Sequence, residues 1–549
     1  MMMGQRSTLT PPRDAMTNNT ELVIPRYSSR EKIVTMIGVL LVMLLASLDS
    51  TIVATAMPRI IADLQGFDRY AWVSTAYMLT TTVAVPIYGK LSDQIGRKPI
   101  LIFGIILFLI GSALSGLSQT MNQMIGFRAL QGLGAGSLMS LAPTVVGDLF
   151  TPRERGKWQG VTGGVFGISS IVGPLIGGWL TEYASWHWIF YVNVPIGLIA
   201  LLVLILTMPV LQSGAARAEV DYQGAALLII GTVPLLLAFS WGGSQYPWFS
   251  LPIISLLVFA LVVLVGFTFY ESRLSDRGGE PILAPHLFRN RIFTISTIIT
   301  AVISMALYGS VFFIPLFVQG VIGQSATNSG LLMTPMMLAS VVTSILAGQL
   351  VSRLGRYKWI AITGVVVSLC GTVLLVLLNA SASSGQVTLA MIVLGAGLGF
   401  GMSLYTIIVQ NAMPDRMGQA TSALIFFRSI GGTLILGLMG SILNSAYLPA
   451  FQQALPSSIR QNVPEQVLRT FNDPQVLLAP DTMAQLQAQF AGYGAQGPAM
   501  FQQIIEAMKV GLVQGIHEGF VISLVLMALG LLTVFFLPEI PLRGSTRNK

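Results

Sequence analysis

The stretch Gly89-Lys90-Leu91-Ser92-Asp93-Gln94-Ile95-Gly96-Arg97-Lys98 decides the fold. It is short, charged and bounded by glycines, and it joins two mostly apolar runs, residues 71–88 and 99–118. A run of about twenty such residues is what a helix needs to cross a hydrocarbon core roughly 30 Å thick. The segment between the runs is too short for a folded domain, so it reads as a tight turn between two membrane helices, at the membrane surface. The plainer alternative is a charged hairpin that merely obeys the positive-inside rule.

Composition agrees with a membrane protein. Apolar residues make up 53% of the 549 and charged residues only 9%, where a soluble domain carries about 25% charged residues. The net charge of +8 does not call for nucleic acid, because the cytoplasmic loops of membrane proteins collect Lys and Arg. The single cysteine, Cys370, excludes a disulfide framework and a cysteine-based metal site. Residues 1–32 are polar with scattered Arg and Pro. They lack the short apolar core of a cleavable signal peptide and read as a cytoplasmic tail.

Working outward from the turn, apolar length predicts fourteen spanning helices: 33–56, 71–88, 99–118, 122–146, 158–180, 188–210, 222–241, 249–270, 292–318, 330–351, 359–378, 387–409, 420–445 and 513–537. With the first residues inside, basic residues gather in the cytoplasmic segments, such as Arg153/Arg155/Lys157, Arg273/Arg277/Arg289 and Arg353/Arg356/Lys358. An even count with both termini cytoplasmic fits.

The chain also repeats itself. Gly348-Gln349-Leu350-Val351-Ser352-Arg353-Leu354-Gly355-Arg356 echoes the opening turn without its acid, and Pro414-Asp415-Arg416-Met417-Gly418 echoes Pro152-Arg153-Glu154-Arg155-Gly156. Both echoes stand at nearly the same separation, which argues for a duplicated six-helix unit with a site between the halves. The predicted organisation is a tail (1–32), a six-helix bundle (33–211), an inserted two-helix hairpin (222–270), a cytoplasmic linker (271–290), a second six-helix bundle (291–538) with an outer loop at 447–510, and a tail (539–549). The outer loop is polar, rich in Gln, Ala and Pro, and reads as a solvated cap or linker with short surface helices.

Ionisable side chains inside a membrane are functional suspects. Asp49 is the one acid deep in a predicted span, about seven residues or about 10 Å from the outer end of its helix. Arg128 lies at a matching depth in the fourth helix, so the two can pair. Burial disfavours the charged carboxylate and a neighbouring cation favours it, so the pair can take up and release a proton as its surroundings change. A static ion pair between helices is the alternative. Arg428, in Phe426-Phe427-Arg428-Ser429-Ile430-Gly431-Gly432, is the other buried cation and reads as structural or gating. No metal cluster, nucleophile triad or phosphate-binding loop is present, and no cofactor is expected.

Several of these stretches resemble a known family. The opening turn is similar to the signature loop of the major facilitator superfamily, with Gly89, Asp93, Gly96, Arg97 and Lys98 at its positions. Leu48-Asp49-Ser50-Thr51-Ile52-Val53 with Ala56-Met57-Pro58 resembles the first-helix motif of its fourteen-helix drug:proton antiporters. Arg128-Ala129-Leu130-Gln131-Gly132-Leu133-Gly134-Ala135-Gly136 resembles the superfamily's fourth-helix motif, whose Arg is linked to proton transfer. Gly173-Pro174-Leu175-Ile176-Gly177-Gly178 resembles the antiporter motif, and the stretch from Trp186 through Asn193 to Gly197 looks like the same branch.

The resemblance implies an all-α membrane protein with the major facilitator fold, two six-helix bundles plus a two-helix insertion. It implies no enzyme, but proton-driven export of lipophilic, cationic drugs or toxic compounds by a monomer in the cytoplasmic membrane, with protons, substrate and lipid as its only partners. The proton-coupling residues would be Asp49 and Arg128. Rival readings are an exporter of one endogenous metabolite or lipid, a proton:nutrient symporter, against which Gly173-Pro174 with Gly177 and Gly178 speaks, and a non-transporting sensor.

Overall fold

The structure, a computed structural model, describes residues 28–64, 70–209, 221–243, 245–324, 326–478, 480–492 and 496–542. Most of the two expected tails lies outside these residues. The first half comprises α1 (Ser29–Leu64), α2 (Tyr70–Ile95), α3 (Arg97–Gly116), α4 (Met121–Leu149), α5 (Pro152–Tyr183) and a broken sixth span, α6 (Trp188–Tyr191) with α7 (Asn193–Thr207). The hairpin is α8 (Tyr222–Trp241) and α9 (Leu251–Asp276). The second half comprises α10 (Arg291–Gly320), α11 (Ala326–Leu354), α12 (Lys358–Val376), α13 (Ser384–Ala412) and α14 (Met417–Ala454). Three short helices, α15 (Ser457–Asn462), α16 (Glu465–Thr470) and α17 (Pro480–Ala491), then precede the last span, α18 (Gly497–Phe535).

Twelve spans among the described residues are long and apolar enough to cross a membrane. The helices α2 and α5, of 26 and 32 residues, complete the fourteen. Both pack across the seam, α2 against α14 and α5 against α11. The sixth span breaks at Val192, where the following Pro195 has no N–H to offer the carbonyl of Tyr191. The break places Asn193, fully buried, at the joint.

The duplication is visible in how the halves meet. Gly89 of α2 lies against Ser422 of α14, and Gly348 of α11 lies against the backbone of Gly156 of α5. A β-carbon at any of these glycines would collide with the facing helix. Each glycine-led turn thus meets the helix opened by the echoed Pro stretch of the other half, in both directions. The pairs differ in chemistry, since Ser352 stands at the place of Asp93. The second turn is tied instead to the chain's last segment, where Tyr357 donates to the carbonyl of Pro538 at 2.8 Å and its amide to Glu539 at 3.1 Å. We call the end of the bundle that carries these turns the basic-loop face.

Residues 447–510 differ from the expected polar loop. Both α14 and α18 run well past their apolar spans and, with α15–α17, enclose a small aromatic core of Phe471, Phe490 and Phe501. Tyr447 stacks on Phe451 and donates to the carbonyl of Phe471 at 2.7 Å. These aromatics are spaced too widely among Gln and Ala to register as an apolar run, yet they suffice to pin a cap. In a Cys370→Ser background, Gln487→Cys on this cap should react with an impermeant thiol reagent added outside intact cells, and Arg277→Cys should not. Labelling of Arg277→Cys from outside would invert the topology.

Candidate functional site

Asp49 is fully buried on α1, and three side chains donate to its carboxylate. Arg128 Nη1 of α4 donates to Asp49 Oδ2 at 2.6 Å. Gln131 Nε2, one turn further along α4, donates to Oδ1 at 2.8 Å, and Asn193 Nδ2 donates to the same oxygen at 2.9 Å. Arg128 Nη1 also donates to Gln131 Oε1 at 2.7 Å. The guanidinium lies over the ring of Tyr77 of α2, 4.1 Å from its centroid, a favourable cation–π placement. Asn193 is held in turn by Ser112, whose hydroxyl accepts from Nδ2 at 3.0 Å and donates to the carbonyl of Phe190 at 2.9 Å. The matching depths of Asp49 and Arg128 thus bring them together. Gln131 and Asn193 were visible only as members of motifs; an uncharged amide in an apolar run is the signal that marks them. Three buried atoms in this shell have no partner: Arg128 Nε, Asn193 Oδ1 and the Tyr77 hydroxyl.

The turn at the basic-loop face forms a second cluster. Gly96 has φ 102°, a left-handed conformation that glycine adopts without strain, and its amide closes α2 on the carbonyl of Ser92 at 3.1 Å. This reversal lets α3 start at once and turns Arg97 inward, where it is buried. Arg97 pairs with Asp93, donates through Nε to Asp148 at 2.7 Å and through Nη1 to Ser92 Oγ at 2.7 Å. The other oxygen of Asp93 crosses to the second half and accepts the backbone amide of Gln419 at 2.9 Å. Gln419 lies in the first turn of α14, where amides lack helical partners and a carboxylate is favoured.

The side chain of Gln419 donates to the carbonyls of Pro281 and Ile282 in the linker, at 2.7 and 2.8 Å, and Lys90 pairs with Glu280 beside it. Burial pushes the Glu280 carboxyl up, but the bond to Lys90, with Arg416 and His286 nearby, holds it below the ordinary carboxylate range. That contribution is present above the ordinary value and is lost as pH falls through the lowered one. Lys98 does not join the cluster. Its ammonium donates to the carbonyls of Ile205 and Met208, each at 2.8 Å, at the end of α7, where a cation suits the unsatisfied carbonyls.

Comparison with known proteins accords with this architecture. Residues 39–436 match the model of the Major Facilitator Superfamily. The chain belongs to that superfamily. It is 37% identical over 532 residues to the "Multidrug transporter protein MdtP" of Bacillus subtilis, covering 95% of each chain. It is also 37% identical to "Multidrug resistance protein 3" of the same organism, covering 91% of this chain and 94% of that one. Among solved structures it resembles the proton:xylose symporter XylE with a TM-score of 0.58 at 13% identity, covering 93% of this chain and 97% of that one, a likeness of fold. As a member of this superfamily the chain is a multi-pass membrane transporter and not an enzyme.

The remaining motif residues of this transporter sit on α5 and α14. Gly173 lies against Thr51 of α1, so closely that a β-carbon would collide with the threonine hydroxyl. Thr51 donates to the carbonyl of Ser169 at 3.1 Å, and Ser47 and Ser169 share a hydroxyl bond of 2.7 Å. The α5 motif is therefore packed on the turn of α1 that carries Asp49. Gly177 is buried and its carbonyl accepts from Thr181 at 2.6 Å, while Gly178 faces open space. The side chain of Pro174 lies outside the described residues. Arg428 is half-buried on α14 next to Tyr308 of α10.

Removing one partner of a buried ion pair costs about 3–5 kcal/mol, because the other charge is left uncompensated. Arg128→Met should lower the stability of the purified protein by that order in denaturant titration, and Asp49→Asn with Arg128→Met should recover more than half of the loss. Equal stability of the single and double variants would mean that the pair carries no such coupling.

Proposed function

We propose that this transporter exports lipophilic cationic compounds across the cytoplasmic membrane in exchange for protons, by alternating access, with both termini in the cytoplasm. The observation that carries the reading is Asp49, fully buried in a span with its charge balanced by Arg128 alone. The names of the Bacillus subtilis relatives support the drug class.

Arg128 keeps its charge at all physiological pH values. When a change of conformation moves it off Asp49, the buried carboxylate is left uncompensated, and a proton or a cationic substrate removes that cost. The two compete for one carboxylate, which couples efflux to proton entry without further machinery. The unpartnered oxygen of Asn193 is an acceptor for the hydroxyl of the protonated acid once its amide turns. The seam between Gly173 and Thr51 lets movement of α5 reach the turn of α1 that bears Asp49. In this reading Asp93, Arg97, Gly89 and Gly96 latch the cytoplasmic face shut, Lys98 fixes the end of α7 beside the latch, and Arg428 steadies α14 as it moves.

In inverted vesicles under an imposed pH difference, Asp49→Asn should abolish uphill transport of a lipophilic cation, while downhill exchange of a neutral compound survives. Uphill transport by Asp49→Asn would move the coupling to another residue. For the latch, Asp93→Asn should insert normally and slow transport, since an amide is a weaker acceptor at a helix start than a carboxylate and is a poor partner for Arg97. An unchanged rate at normal expression would remove the latch role.

A further inference from the structure

A pair of carboxyl groups lies at the base of the inserted hairpin, far along the chain from Asp49. Glu271 of α9 is 0% exposed, and its carboxyl lies against the Asp221 carboxyl and the backbone of Ile282 and Leu283. Asp221, the residue that caps α8, is 8% exposed. Its Oδ1 accepts from the amide of Gly224 at 2.7 Å and from the hydroxyl of Tyr270 at 2.9 Å, and its Oδ2 is unpartnered. Asp221 Oδ2 and Glu271 Oε1 both border the space above Gly224. The groups that face Glu271 are Asp221 from α8, Tyr270 on its own helix, and the backbone of Ile282 and Leu283 from the linker. No lysine, arginine or histidine among the described residues faces it. His286 and Arg289, on the turn that follows the linker, belong instead to the group of Lys90, Glu280 and Arg416.

Two carboxylates in one buried pocket without a cation do not both stay ionised, because the nearby amides and the Tyr270 hydroxyl offset only part of the desolvation and mutual repulsion. A single proton between them removes both costs. The linker residues that wall the pocket are the ones the latch grips. Gln419 holds the carbonyls of Pro281 and Ile282 with its side chain while its amide is held by Asp93. Leu283, Ala284 and Leu287 pack with Leu228 of α8 and Phe267 of α9 in one apolar cluster.

We propose that Asp221 and Glu271 form a proton-binding site that holds the linker against the latch at the basic-loop face. With the proton bound, the hairpin base stays shut and presents the linker to Gln419. With the proton lost, two negative charges share the pocket, the hairpin base parts, and the linker leaves both its apolar wall and the Gln419 side chain. The α14 start is then held by Asp93 alone. The site uses none of the residues around Asp49 and is independent of which compound is carried.

The test uses the full chain in lipid nanodiscs, in an Asp49→Asn background that removes the other buried acid's signal. Infrared difference spectra between neutral and alkaline pH should show loss of the carbonyl stretch of a buried protonated acid, and Glu271→Gln should erase that band. In parallel, a Leu283→Cys probe in a Cys370→Ser background is labelled with an uncharged maleimide. Each rate is divided by that of the same chain unfolded at the same pH, which cancels the thiol's own ionisation. Protection of the probe should fall by up to about tenfold per unit of pH as pH rises toward the midpoint of the infrared transition, should level off above it, and should become independent of pH in Glu271→Gln. Asp221→Asn keeps the α8 cap and removes the like charge, so it should move both transitions to lower pH; it serves as the variant if Glu271→Gln is not recovered folded. A band that is absent, or that survives Glu271→Gln, overturns the proton site. A band that vanishes while protection stays flat with pH overturns its link to the latch.

Discussion

Asp93 reaches from α2 into the first turn of α14, and the closed face of the molecule is arranged around that bond. A helix start offers amides without partners and a partial positive charge, and a carboxylate placed there contributes about 0.5–2 kcal/mol. Arg97 aims the acid by holding its other oxygen while gripping Asp148. Other contacts between the halves at this face rest on close backbone approach and on single hydrogen bonds. Glycine meets glycine at Gly156 and Gly348, and Gly89 meets the small side chain of Ser422. The carbonyl of Pro143 on α4 accepts from Gln410 of α13 at 3.1 Å. Close backbone approach gives dispersion contact in lipid. A face built from a few modest bonds can open and re-form.

The Asp49 cluster obeys the opposite logic. Taking a carboxylate and a guanidinium out of water is expensive, and a buried pair is weak evidence for stability. Here every bond from Arg128, Gln131 and Asn193 serves to hold one charge in place. Those three side chains come from only two helices, α4 and the joint of the sixth span, while the acid rides on a third. Relative movement of α1 against α4 therefore changes the balance of charge at Asp49 directly. The packing of Gly173 on Thr51 ties α5 to the same turn of α1.

Much of this was legible in the sequence because membrane physics writes in long, uniform strokes. Apolar length marked the fourteen helices, the paired echoes marked the duplication, and charge within a span marked Asp49 and Arg128. What stayed hidden depended on tertiary neighbours. Gln131 and Asn193 carry no charge, so an amide in an apolar run marks them as polar and leaves their partner to the tertiary fold. Lys98 read as one charged residue of the turn, yet its long side chain reaches the end of α7 and leaves the Asp93–Arg97 cluster. Glu271 followed the last apolar residue of its span and read as the first residue of a solvated linker. The helix continues to Asp276 and the linker folds back over it, which buries the acid. In residues 447–510 short helices and a cap were legible, but not the core of three phenylalanines spread along the polar stretch.

The inserted hairpin draws these clusters into one mechanical frame. At the face opposite the basic loops, Trp241 of α8 meets Trp72 of α2 with ring centroids 5.5 Å apart. On its other side the hairpin turn meets α14, where Trp248 donates to Ser441 at 2.6 Å and Asn444 donates to the carbonyl of Gly243 at 2.9 Å. The hairpin therefore touches the same two helices, α2 and α14, that Asp93 joins at the basic-loop face. One end of that helix pair is held by a carboxylate and a helix start, the other by aromatic rings and hydroxyls that share a third helix. Separation of α2 from α14 at either end must pivot on the contacts at the other. A hairpin packed at both ends of the seam is thus placed to take part in every such movement, rather than standing aside as a lipid-facing addition to two six-helix bundles.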